Sequence, residues 1–334
     1  MKITFNPLAA SLPKSRPIKT EILGEGLDSR ANFTFSGKTA LGLLFTYYLS
    51  TGKLRQKTDQ VLVPEWMGYW VYMIMQKTCF PSQAMSPKTR GILAYHQWGF
   101  PQDMDALKTF CHRKGLFCIE DCAHAFMGYD QSGRRLGTIG DASIFSLAKF
   151  FPSVVGGAVY SRHRPLNAFL SGALDDRKTT LTDEVFRARQ RYDERPTEVH
   201  QIEVERNYAV YDRLGYCPAP ALAVAEREIR EGALERRRAI LGLFRDAFKP
   251  FRQTAKLLRL EVLPWVVPVF LPETACRRIA KRLNAMGIES GVYHFDVHRN
   301  MLKPSYKKCL VLPCHQDIPL RLVERIADAV RQHA

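Results

Sequence analysis

From about residue 33 onward, short apolar runs alternate with amphipathic stretches, the signature of βαβ units feeding a mostly parallel sheet. NFTF (32–35) reads as a strand and KTALGLLFTYYLS (38–50) as the helix that follows it. QVLVPEW (60–66) and GILAYHQWG (91–99) read as further strands, and QDMDALKTFCHRKG (102–115) as a helix closed by Gly115 ahead of LFCIED. ASIFSLAK (142–149) and GGAVYS (156–161) predict two more strands. Residues 175–207 are dense in charge with few apolar anchors, which predicts an exposed excursion. A long helix over about 221–248 then leads into a second unit. There LPWVVPVFL (263–271) and KKCLVLP (307–313) are strands, and TACRRIAKRLNAMG and PLRLVERIADAVRQ are amphipathic helices. The expected division falls inside the long helix, with a large domain over 1–235 and a small one over 236–334.

Composition changes this picture in one respect. Among 334 residues, 46% hydrophobic and 25% charged are ordinary, but a net charge of +16 and a pI near 9.6 are not. They favour acidic ligands such as phosphorylated metabolites, nucleic acid or an anionic membrane surface. The basic residues are scattered, and short clusters such as Arg236-Arg237-Arg238 read as solvated surface. No nucleic-acid recognition motif of the usual kinds occurs, so nucleic acid is not the expected partner. The eight cysteines form no CxxC pair and suggest neither a disulfide ladder nor a metal site. Reduced thiols point to the cytoplasm. The opening MKITFNPLAASLPKSRPIK is a poor signal peptide, and the most apolar runs are too short to span a bilayer.

Four places carry candidate chemistry. In FSGKTAL (35–41) a strand turns through Ser36-Gly37 into a helix, which aims backbone N–H groups at an anion. Gly37-Lys38-Thr39 also matches the end of a P-loop, although Asn32 stands where that motif needs its first glycine. A nucleotide hydrolase therefore stays open, as does an ordinary strand-to-helix turn. In CIEDCAHA (118–125) an acid ends a hydrophobic strand, and His124 follows Asp121 by three positions. Asp121 alone fits a helix cap or a metal ligand as well as a catalytic acid. In SLAKFF (146–151) Lys149 sits among apolar neighbours, either snorkelling to water or desolvated and suited to Schiff-base chemistry. Gly156-Gly157 reads as a tight turn. Together an anion-binding helix start, a buried acid, a nearby His and a desolvated Lys are the parts that hold pyridoxal 5'-phosphate: the lysine forms the imine, and the acid faces the pyridinium nitrogen.

The stretch 92–161, through AYHQWGFPQDMDAL, GLFCIEDCAHAFMGYDQSGRRLGTIGDASIFSLAK and GGAVYS, resembles the DegT/StrS family of sugar aminotransferases. SGKTAL resembles that family's phosphate turn, and GIESGVYHFDVH and LVLPCHQDIPLRLVERIADAV resemble its closing segments. The resemblance implies an α/β protein of fold type I among pyridoxal-phosphate enzymes, and a homodimer with active sites at the subunit interface. By position, Lys149 matches the Schiff-base lysine, Asp121 the pyridine-nitrogen partner and His124 the residue stacked on the cofactor ring. Ser146 and the turn Gly37, Lys38 and Thr39 match phosphate contacts. Tyr293 and His298 fall on a Tyr and a His near the substrate.

Three departures stand out. Only Leu147 and Ala148 separate Ser146 from Lys149, where many members have four residues. GYCPAP (215–220) replaces the family's GYNYR, whose Asn reaches the partner's phosphate. Lys38 replaces a small residue. The reading that results is an aminotransferase acting on a keto sugar nucleotide with an amino-acid donor, glutamate first. Its alternatives are a dehydratase of such sugars, a regulatory protein that keeps the fold without turnover, and the P-loop hydrolase.

Overall fold

The computed structural model describes residues 2–8, 21–24, 27, 30–174, 181–195, 197–211 and 215–333. Residues 9–20 of the opening stretch and 175–180 of the charged excursion lie outside them. The chain runs β1 (Ala31–Thr34), α1 (Gly37–Ser50), β2 (Gln60–Leu62), α2 (Tyr69–Met75), β3 (Phe80–Ser82), β4 (Thr89–Tyr95), α3 (Met104–Lys114), β5 (Phe117–Cys122), β6 (Met127–Gly128), β7 (Ala142–Ser146) and β8 (Gly157–Tyr160). It continues through α4 (Arg164–Ala173), α5 (Leu181–Glu194), α6 (Glu198–Tyr211), α7 (Ala219–Arg230), α8 (Ala233–Ala247), α9 (Arg252–Leu258), β9 (Val262–Leu263), β10 (Val266–Val269), α10 (Glu273–Ala285), β11 (Gly291–Asp296), β12 (Tyr306–Pro313) and α11 (Leu320–His333).

Seven strands form one sheet in the order β1-β8-β7-β5-β4-β2-β3. The pairings β7–β5, β5–β4, β4–β2 and β2–β3 are parallel, while β8 runs antiparallel to both β1 and β7. β5 is buried along its whole length, which is why Phe117, Cys118 and Ile119 run without polar alternation up to Glu120 and Asp121. One face is covered by a core built on Leu41, Leu44, Phe45 and Tyr48 of α1. The other is covered by Phe126, Phe145, Phe150, Phe151 and Ala225. A second, three-stranded sheet, β10-β12-β11, packs with α8, α10 and α11 around its own core, from Ile240 and Phe244 to Ile326 and Val330. The α/β architecture expected from the pattern is present.

Among the places where the structure differs from the pattern, three bear on the site. The long helix over 221–248 is two helices, α7 and α8, broken at Gly232, which takes the left-handed φ of +80°. Lys149 is not on a strand: β7 stops at Ser146, and Leu147–Lys149 forms a 3-10 turn. The charged excursion contains α5 and α6, which pack against each other and bury Val185 and Ala188, so α5 has an inner face that its charge density concealed.

Candidate active site

In parallel strands of one direction, all carboxyl ends reach the same edge of the sheet, and ligands gather there. β1 delivers Ser36, Gly37 and Lys38 to that edge, β4 delivers Tyr95, β5 delivers Asp121 and His124, and β7 delivers Ser146 and Lys149. All of these line one cavity of about 320 Å³, with Gly68 and Trp70 on a further wall.

The anion-binding end is built first. Ser36, extended at φ −153°, caps α1 by accepting the Thr39 N–H at 3.1 Å. Thr39 therefore turns its amide into the cap and does not line the cavity, unlike Gly37 and Lys38. Only Phe35 and Ser36 link β1 to α1, too few residues to encircle a phosphate, so the P-loop alternative fails on geometry. Gly157 explains the double glycine: a Cβ there would stand 2.3 Å from the Ser36 carbonyl carbon and 2.5 Å from the Gly37 nitrogen. β8 is glycine at that point because the α1 turn lies directly on its backbone.

Asp121 is 2% exposed, and its Oδ1 accepts the Ala123 N–H at 2.9 Å. Burial pushes its carboxyl up to about 6, against the pull of that N–H and of Lys149. Such a carboxyl favours a cationic partner. Burial, with the Arg189 charge second, draws the Lys149 amine down to about 8, while Glu289 and Asp121 oppose the fall. The desolvated reading of Lys149 thus outweighs snorkelling. Burial also holds His124 well below its usual value, in the neutral form.

His124 has company that the sequence did not reveal. Its Nδ1 meets the Tyr95 hydroxyl at 2.8 Å, and its ring lies parallel to the Trp265 indole at 4.1 Å. Lys149 Nζ is 4.4 Å from the centre of the same indole. Trp265 enters just before β10, anchored by its backbone N–H on Trp98 and by its Nε1–H on Asn6 at 2.9 Å. Tyr95 was legible in principle, as the last residue of a parallel strand at the ligand-bearing edge. Trp265 was not, because it sits between β9 and β10, outside the large sheet.

Arg237, read as surface, is 1% exposed. It shares a face of α8 with Leu234, Ile240, Leu241 and Phe244, and its neighbours Arg236 and Arg238 face water. Its guanidinium donates to Gln316 Oε1 at 2.9 Å and to the carbonyls of Lys149 and Phe150 at 3.4 Å. It thereby grips the backbone of the turn that carries Lys149. Val154, on the loop after that turn, lines the cavity at φ +62°, a strained value for a β-branched residue.

Tyr293 and His298 do not line the cavity. Tyr293 is 48% exposed and packs edge-on against Phe5 and Trp98, and His298 Nδ1 lies 3.1 Å from the Lys303 carbonyl. Their neighbour His294 stacks on Trp66 at 3.9 Å. Cys217 is also absent from the cavity wall; its segment follows β1 through the Thr34–Tyr216 bridge. His96, Glu120 and Cys122 lie close enough to hold a metal ion. However, Glu120 already accepts N–H bonds from Gly137, Ile139 and Gly140, and His96 accepts the Gln102 N–H and faces Glu120. That cluster braces β5 from within.

The donor set suits pyridoxal phosphate: an amine to bond a carbonyl, a carboxyl poised for a ring cation, and a capped helix N-terminus beside Lys38 and Ser146 for a phosphate. Comparison with known proteins agrees. Residues 81–331 match the model of the DegT/DnrJ/EryC1/StrS aminotransferase family. The dTDP-3-amino-3,4,6-trideoxy-alpha-D-glucose transaminase of Micromonospora megalomicea subsp. nigra is 43% identical over 75 residues, 22% of this chain and 19% of that protein. The matched stretch therefore spans about a fifth of that curated relative. In fold, the chain is similar to Helicobacter pylori PseC, an aminotransferase involved in pseudoaminic acid biosynthesis, with a TM-score of 0.67, 14% identity, and 100% and 99% of the two chains covered. It is also similar to a Streptococcus pneumoniae protein described as a sugar aminotransferase and solved in a PLP-form, with a TM-score of 0.65, 14% identity and both chains covered fully. Aminotransferases of this family depend on pyridoxal phosphate.

Proposed function

We propose, for a chain that belongs to the DegT/DnrJ/EryC1/StrS aminotransferase family, that it is a pyridoxal-phosphate-dependent aminotransferase acting on a keto sugar carried by a nucleotide. The observation that supports this most is the meeting of Lys149, Asp121 and the α1 N-terminus on one cavity. Pyridoxal phosphate, when bound, supplies a ring that accepts the electron pair released at the substrate carbon. The chain's own residues do the rest. Gly37, Lys38 and Ser146, with the α1 dipole behind them, hold the phosphate. Asp121, ionised once a ring cation meets it, holds the proton on the ring nitrogen. His124, neutral and braced by Tyr95 and Trp265, would stack on the cofactor's ring. Lys149 would hold the cofactor at its carbonyl carbon, and its amine, free once the substrate's own amine has taken that place and brought down to about 8 by burial, would accept and return the substrate's proton.

The amino donor is an amino acid, with glutamate the first to test. We assign the cofactor to a large domain over 1–235, followed by a small C-terminal domain over 236–334. Tyr69, Trp70 and Met73, exposed apolar residues of α2, whose Trp70 lines the cavity, support a homodimer that places its active sites at the interface. Among the described residues no helix is long and apolar enough to cross a membrane, and all eight cysteines are free thiols, which supports the cytoplasm.

The test is transfer of labelled nitrogen. Incubated with 15N-glutamate and a nucleotide-linked keto sugar, the holoenzyme should produce a labelled amino sugar nucleotide. Loss of water from the sugar without label would assign a dehydratase instead.

A further inference from the structure

α5 returns to the cavity through Arg189, one position beyond the buried Ala188. Arg189 lines the reaction cavity and also a neighbouring one of about 480 Å³ whose wall includes Lys2, Tyr192, Asp193 and Glu289; Asn6 is the other residue common to both. Its Nε donates to Asp193 Oδ1 at 2.8 Å, one turn along the helix, and its guanidinium carbon lies 5.9 Å from the centre of the Tyr192 ring. These contacts set the orientation of a planar cation that stands where the two cavities join.

The geometry points to Arg189 as the residue that binds an anionic oxygen group of a reacting molecule, a carboxylate or a phosphate, at that junction. This inference rests on the aminotransferase reading, which gives the phosphate of the cofactor to the α1 N-terminus and the carbonyl carbon to Lys149. Lys38 belongs to the α1 end and Lys149 to the cofactor's carbonyl carbon. Arg189 stands between them and the second cavity, on whose wall Lys2 adds further positive charge. A guanidinium matches carboxylate and phosphate oxygens through paired N–H groups, and such charge-assisted bonds are the strong ones. The electrostatics agree, since Arg189 exerts the strongest charge effect on the Lys149 amine, ahead of Glu289, Asp121 and Lys38. An anion on Arg189 screens that effect, so occupancy of the junction and the protonation of Lys149 are coupled.

Both classes of substrate carry such a group: an amino-acid donor has a carboxylate and a sugar nucleotide has a diphosphate. The experiment titrates the holoenzyme calorimetrically with two probes that do not react, glutarate and UDP, in the wild type, Arg189→Gln and Arg189→Lys. Arg189→Gln should weaken one probe roughly 10- to 100-fold, with Arg189→Lys between the two. Weakening of glutarate alone assigns Arg189 to the amino donor, and weakening of UDP alone assigns it to the nucleotide diphosphate. Unchanged affinity for both probes overturns the inference. So does failure of a folded Arg189→Gln to take up pyridoxal phosphate, because Arg189 then belongs to the cofactor. Should the wild type take up no pyridoxal phosphate while Arg189→Gln still weakens a probe, the aminotransferase reading falls and the anion site stands. Phenylglyoxal labelling of the wild type, read by peptide mass spectrometry, needs no variant. The probe that binds should slow modification of Arg189, and absence of protection by either overturns the proposal.

Discussion

Lys149 Nζ lies 4.4 Å from the centre of the Trp265 indole, and the same indole lies flat against His124 at 4.1 Å. One aromatic plate thus serves the amine and the imidazole together, and its cloud of π electrons gives a desolvated ammonium part of what water would. Trp265→Leu should lower the Lys149 pKa further and loosen His124. The check is the pH dependence of Lys149 acylation in the apoprotein, whose midpoint should fall below that of the wild type.

The lowered amine carries a stability cost of known sign. A lysine with a folded pKa of about 8, below its unfolded value, binds fewer protons folded than unfolded between the two values, so its penalty shrinks as pH rises through that window. Below pH 8 the penalty is complete. Lys149→Met should stabilise the apoprotein by roughly 2 to 3 kcal/mol at pH 7, less above pH 10, in thermal melts.

Asp121 works in the opposite pH range. With its carboxyl near 6, protonation below that value removes the anion that would meet the ring nitrogen. Affinity of the apoprotein for pyridoxal phosphate should therefore rise between pH 5 and 7. Asp121→Asn should flatten that rise and weaken binding by about 1.5–3 kcal/mol. Fluorescence titration at several pH values distinguishes the two proteins.

The pattern of apolar and polar positions made most of the large sheet legible, because β4, β5 and β7 are buried runs bounded by recognisable helix signals. The site was legible where its residues stand at the carboxyl end of a strand or directly after it: Asp121 and Ser146 do the first and the α1 turn the second. What escaped came from elements whose inner faces are mixed with charge. Arg189 sits in a helix of alternating charges, and Arg237 in an arginine triplet where only the helical phase decides which member is buried. Trp265 reaches the site through tertiary packing alone, which no local pattern records. Tyr293 and His298 drew their roles from a resemblance, and in this chain the side chains lie outside the cavity.

Arg237 offers a test of that buried grip. Arg237→Leu takes the Arg237 donor from Gln316 Oε1 and from the Lys149 carbonyl, while the Phe150 carbonyl keeps the Gln316 Nε2–H at 2.9 Å, and should cost about 3 kcal/mol of stability. Arg237→Lys should restore a fraction of it. Chemical denaturation of the three proteins measures both.

Gly157 tests the phosphate end. A methyl group there meets the Ser36 carbonyl carbon at 2.3 Å, so Gly157→Ala must push the start of α1 away from β8. Cofactor retention on gel filtration should fall sharply, while Gly172→Ala, whose Cβ meets nothing, should retain it.

The central claim is that Lys149 carries the cofactor, and one measurement reaches it directly. The purified protein is loaded with pyridoxal phosphate, reduced with borohydride and digested, and the modified peptide is sequenced by mass spectrometry. The account requires the phosphopyridoxyl group on Lys149, within SLAKFF. A label on Lys38 or any other lysine, or no label at all, would contradict it.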